Sequence, residues 1–75
     1  MEITEIRQAA YKAACLAEDA WQDELDRVYG SESNRARYDR NLHAATPMLK
    51  ALYEVRNSTT NAWRILGEIA RDEIK

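Results

Sequence analysis

Met48, Leu52, Val55, Thr59, Ala62, Leu66, Ile69 and Glu73 fall alternately four and three residues apart. That spacing returns side chains to one face of an α-helix turn after turn, whereas a half-buried strand needs alternation of period two. The feature constrains the fold more than any other, because it makes residues 47–74 one long helix with a heptad stripe. A second series near the start, Ile3, Ile6, Ala10, Ala13, Ala17 and Ala20, repeats the pattern until Glu24 closes it with a charge. Four of its six members are alanine, which offers little area but lets two helix axes approach closely.

The ends of these helices carry their own signals. Glu2 and Glu5 suit the positive end of a helix dipole, and Gly30 is a natural residue just past a helix C-terminus, giving a first helix over about 3–29. Thr46 followed by Pro47 fits an N-cap and first helical position, where proline's missing N–H costs nothing. Between them, Ser33 or Asn34 caps a shorter middle helix over about 34–45, "RARYDRNLHAA". At 1.5 Å per residue each long helix spans roughly 40 Å. Matched lengths predict an all-α chain: an antiparallel long-helix hairpin with an Ala-rich heptad seam, as a single domain over 1–75. In that register Ile3 and Ile6 face Ile69 and Leu66, Ala17 faces Thr59, and Val28 lies near Met48. Two glycines, one proline, no phenylalanine and the lack of β-branched runs agree with an all-helical reading.

Residues 56–63, "RNSTTNAW", interrupt the last helix with five consecutive polar residues. Val55 and Ala62 stay one heptad apart across the run, so the helix phase survives it. Thr59 alone points to the seam, with its hydroxyl in reach of the Val55 carbonyl.

A further stripe, Tyr38, Leu42, Ala45, Leu49 and Tyr53, points roughly 90° away from the seam when counted at 100° per residue. One partner helix does not cover both stripes. Either the middle segment folds back to bury the second, or Tyr38, Leu42, Leu49 and Tyr53 form a homo-oligomer interface, which the small size of the chain favours.

The 75 residues carry a formal charge of −2, which disfavours a nucleic-acid binder and any DNA contact through the middle helix. Acids gather at Glu18, Asp19, Asp23, Glu24 and Asp26, and bases at Arg35, Arg37 and Arg40. Each run is misplaced for its own helix end, so the two read as partners, within a chain or between chains. The same bases with Tyr38 are the candidate site for an anionic small ligand such as a nucleotide. Arginine forks grip phosphates and tyrosine stacks on rings.

Catalytic and metal chemistry find no foothold. His43 and Cys15 are single and far apart, no metal-ligand spacing occurs, and no cofactor is implied. "HAATPML" falls short of the phospho-accepting histidine motif of sensor kinases, lacking both its spacing and its acid. Asn57-Ser58-Thr59 matches a glycosylation sequon by chance, because a lone thiol suits a reducing cytoplasm. The start of the chain reads neither as a signal peptide nor as a membrane span. The expectation is a cytoplasmic, non-enzymatic protein of adaptor or inhibitor type, acting through protein contacts as a homo-oligomer, without membrane or nucleic acid.

Overall fold

The computed structural model describes residues 2–74, with side chains described through Asp72. Met1, Lys75 and the Glu73 position of the last stripe lie outside those described side chains. Every regular element among the described residues is helical: α1 (Ile3–Tyr29), a 3₁₀ turn (Gly30–Glu32), α2 (Ser33–Arg37) and α3 (Pro47–Ile74). None of these helices is long and apolar enough to cross a membrane.

The two long helices pack against each other. Tyr11 meets Trp63 with ring centroids 5.5 Å apart, Trp21 meets Tyr53 at 5.1 Å, and between these pairs Glu18 binds Arg56. Partners therefore come earlier on α3 as they come later on α1.

Local chemistry sets the ends. Gly30 has a φ of 57°, and its N–H donates to the Asp26 carbonyl, turning the chain out of α1 in a conformation that glycine adopts without a side-chain clash. The Leu49 N–H donates to Thr46 Oγ1 at 3.1 Å, so Thr46 caps α3 with Pro47 in its first turn.

The middle helix differs from the sequence expectation: it ends at Arg37 instead of running to residue 45. Asp39 redirects the backbone. Its carboxylate accepts the Asn41 N–H at 2.8 Å, an Asx turn, and its carbonyl accepts the N–H groups of Leu42 and His43, each at 3.0 Å. Donors on α1 tie down two further carbonyls of this turn. Tyr29 Oη donates to the Leu42 carbonyl at 2.8 Å and Trp21 Nε1 to the His43 carbonyl at 3.0 Å. Helix-forming residues thus give way to a turn because side chains of another element satisfy its backbone.

Trp21, Leu25, Ala36 and Leu49 form the core, with Tyr29, Leu42, Leu52 and Tyr53 packed on it. Ala36 is fully buried, and its small side chain lets α2 lie close on α1. Each large side chain buried here stabilises the fold by about 1.5–3 kcal/mol.

The contact seam is rotated from the one read in the sequence. Toward each other the helices turn Ala14, Ala17, Trp21 and Leu25 on α1, and Leu49, Tyr53, Arg56, Trp63 and Ala70 on α3. Of the residues read as the seam, Ile3, Ala10, Ala17, Leu52, Thr59 and Leu66 are buried or half-buried, whereas Ile6, Ala13, Ala20, Met48, Val55, Ala62 and Ile69 are exposed. Area decides this: burying Trp21 and Leu25 removes far more apolar surface from water than burying Ala20 and Glu24, so they fix how α1 is turned. Thr59 is half-buried, and its hydroxyl donates to its own helix, to the Val55 carbonyl at 2.9 Å and the Arg56 carbonyl at 3.0 Å. α3 runs unbroken through the polar stretch.

Candidate functional site

The best-organised polar cluster surrounds Trp21. Glu18, one turn before it on α1, receives Arg37 from α2 on Oε1 and Arg56 from α3 on Oε2. Arg37 also donates to Gln22 Oε1 at 2.7 Å. Both guanidiniums lie over the Trp21 ring, at 4.9 Å for Arg37 and 5.2 Å for Arg56. An electron-rich indole face and a carboxylate fork thus hold two cations side by side. Burial pushes the Glu18 carboxyl up, but the hydrogen bonds and charges of Arg56 and Arg37 outweigh it and hold the group below the usual glutamate value. Beside Trp21, Tyr53 meets His43 with centroids 4.4 Å apart and ring planes tilted by 56°. The cluster ties α1, α2 and α3 together, and its groups face one another.

This accounts for part of the acidic and basic runs: Glu18 and Arg37 pair within one chain. It also changes the candidate anion site. Arg37 is held by Glu18 and Gln22, while Arg35, Tyr38 and Arg40 are exposed. Only Tyr38, of these three, touches the cluster, with Arg37 at 5.9 Å from its ring. Of the residues expected at an oligomer interface, Leu49 is fully buried in the chain's own core, and Leu42 and Tyr53 pack against that core. Tyr38, 79% exposed, is the member of that set open to a partner.

Two shallow grooves lie on either side of the Tyr11–Trp63 pair. One is lined by Thr4, Arg7 and Gln8, the other by Ala14, Cys15, Glu18, Asp19 and Thr60. Arg7 lies 5.4 Å over the Trp63 ring, and Gly67 makes room for it, since a Cβ there would stand 3.1 Å from the guanidinium. Cys15 is a free, exposed thiol, and hydrogen bonding to it raises the Tyr11 phenol above its ordinary value. Among the described residues no group of three His, Cys, Asp or Glu side chains is placed to hold a metal ion. Sequence reasoning did not single out Arg7, Tyr11, Trp21 or Trp63. The signal was present in the heptad positions of the aromatics, Trp21 standing four residues after Ala17 and Trp63 seven after Arg56.

Fold and surfaces together define a small all-helical protein in which two helices pack on each other and one polar cluster, around Glu18, ties them together. Comparison with protein-family models, with curated proteins and with solved structures returns no match.

Proposed function

We propose that the protein is a non-enzymatic accessory protein of adaptor or inhibitor type: an antiparallel helical hairpin, closed by a short middle helix, that acts through protein contacts as a cytoplasmic homo-oligomer. One observation carries the reading. Among the described residues the buried apolar side chains are few, namely Ala17, Trp21, Leu25, Ala36, Leu49 and Ala70, while Leu16, Tyr38, Met48 and Val55 are each more than half exposed. A domain that buries so little and exposes so much large apolar surface reaches adequate stability by covering that surface with another chain.

Light scattering over a range of concentrations, with urea unfolding at each, tests this. A mass above the monomer and an unfolding midpoint that rises with protein concentration are expected, because assembly stabilises only the folded chain. A monodisperse monomer with a fixed midpoint would remove the homo-oligomer from the reading.

A further inference from the structure

Ile6, Ala13 and Ala20 stand one heptad apart on α1, and Met48, Val55, Ala62 and Ile69 one heptad apart on α3; all seven are exposed. Contacts show where the two series lie. Counting about 100° per residue from the core direction of Ala17, Trp21 and Leu25, Tyr11 and Glu18 fall on one flank of α1 and Ile6, Ala13 and Ala20 on the other. Tyr11 and Glu18 meet Trp63 and Arg56, and Arg37 reaches Glu18 from the same flank, so the connecting segment covers that side. Thr60 of α3 shares a groove with Tyr11 and Cys15 and marks the same flank of the pair. Met48, Val55, Ala62 and Ile69 lie on the opposite flank of α3. Both heptad series therefore open on one broad side of the helix pair, away from the connecting segment.

We propose that this side docks a second copy of the chain, so that two hairpins close into a four-helix bundle. The proposal rests on the homo-oligomer reading above and names its surface. Three observations select a second copy as the occupant.

The first is width. A helix in a four-helix bundle touches two neighbours and needs an apolar arc of three to four positions per two turns, wider than the seam of a single pair. α1 has that arc, since Ala14, Ala17 and Trp21 serve α3 while Ile6, Ala13 and Ala20 remain uncovered.

The second is charge. Between Met48 and Ile69 the charged residues of α3 are Lys50, Glu54, Arg56, Arg64 and Glu68, and none belongs to the exposed series or to Leu52, Thr59 and Leu66 beside it. A two-fold interface sets a patch against itself; the α3 half of the patch carries no charge, and at the end of the α1 series exposed Arg27 is paired with Glu24 of its own chain at 2.5 Å, so the copies meet with little like-charge repulsion. α1 and α3 have 27 and 28 residues, so the copies match end to end.

The third is area. The chain exposes 5551 Å², against about 4,700 Å² for a compact monomer of 8.7 kDa. The excess, about 800 Å², measures how far the chain is from a closed globule and is of the size that one partner hides in a standard-size interface. The open side belongs to a body of 45 × 20 × 19 Å, whose radius of gyration of 14.8 Å exceeds the roughly 11 Å of a compact domain this long.

The test measures mass by light scattering, at one high concentration, for the wild-type chain and for Ala13→Glu, Val55→Glu and Tyr38→Glu, with circular dichroism to follow helix content. A dimer mass for wild type and Tyr38→Glu, halved in Ala13→Glu and Val55→Glu, is the expected result. Dimer mass retained in both face variants overturns the surface while leaving self-association standing. A wild-type monomer at that concentration overturns both readings. Should a face variant lose helix content, dilution of the wild-type chain followed by methyl NMR decides instead. Resonances of Ala13, Val55 and Ala62 shift on dilution if they are covered; a shift confined to Ala14 and Thr60, on the groove side, overturns the proposal.

Discussion

The indole N–H of Trp21 donates to the backbone carbonyl of His43 at 3.0 Å, joining the middle of α1 to the turn that precedes α3. Trp21 is also almost fully buried, with a relative exposure of 2%, and lies beneath two guanidiniums. One side chain thus serves as core, as hydrogen-bond donor and as a platform for cations.

Trp21→Phe keeps much of the apolar volume and removes the donor. The His43 carbonyl is then left short of a partner, and the smaller ring leaves a gap, so a loss of about 2–3 kcal/mol is expected. Urea unfolding followed by circular dichroism checks the value. A loss under about 0.5 kcal/mol would mean that the carbonyl finds water and that the bond contributes little.

Glu18 gives the fold an acid limit. Its carboxyl is lowered in the folded chain, so the stability it supplies is fully present above the ordinary glutamate value of 4.5 and is lost as pH falls through the lower folded value. The pairs are partly exposed, Glu18 by 31%, and solvent screens them, so the contribution is on the order of 1 kcal/mol. Thermal unfolding between pH 7 and pH 3 should show a smaller acid-induced drop for Glu18→Gln than for wild type. Parallel curves for the two chains would show that other carboxylates set the acid limit.

Much of this was legible in the sequence. Gly30, Thr46 and Pro47 end or begin helices in the structure as local chemistry demands, and the helix phase does survive the polar run before Trp63. The rotation of the seam was not legible. The apolar arcs of α1 and α3 are wider than one partner covers, so periodicity marks the arc without saying which edge faces the partner. The choice depends on where Trp21 and Leu25 find room, a tertiary matter. The middle helix was overextended for a similar reason. Residues 38–45 carry helix-compatible side chains, and besides the Asp39 turn itself the donors Tyr29 and Trp21, distant in sequence, hold the Leu42 and His43 carbonyls. The charge runs did read as partners, but nothing local announces that Arg37, of the three arginines, is the one that reaches back across nineteen residues to Glu18.

Gly30 sits at φ 57° with nothing within 4 Å of where a Cβ would stand. Replacement by alanine therefore acts through the backbone alone, and a loss of about 1–3 kcal/mol is expected. D-alanine, which favours positive φ, should restore most of it in a chain made by chemical ligation. If L- and D-alanine behave alike in thermal unfolding, the turn out of α1 does not depend on this conformation.

Arg35, Arg37 and Arg40 look alike in sequence and differ sharply in the structure. Arg37 bonds Glu18 and Gln22 and covers the indole, whereas Arg35 and Arg40 are exposed. Arg37→Ala should cost about 1–2 kcal/mol, because it uncovers Trp21 and removes one of the two cations on a half-buried carboxylate. Arg35→Ala and Arg40→Ala should change stability by no more than about 0.5 kcal/mol. Phosphate and nucleotides, added to the wild-type chain in a thermal-shift assay, should leave the midpoint where it was, since of these three arginines the one held in a fixed geometry, Arg37, already has its anion in Glu18. A rise in midpoint that Arg35→Ala or Arg40→Ala abolishes would instead restore the exposed pair, with Tyr38, as an anion site. That result would also require Arg35 and Arg40 to converge on the ligand from elements that now end in a five-residue helix and an open turn.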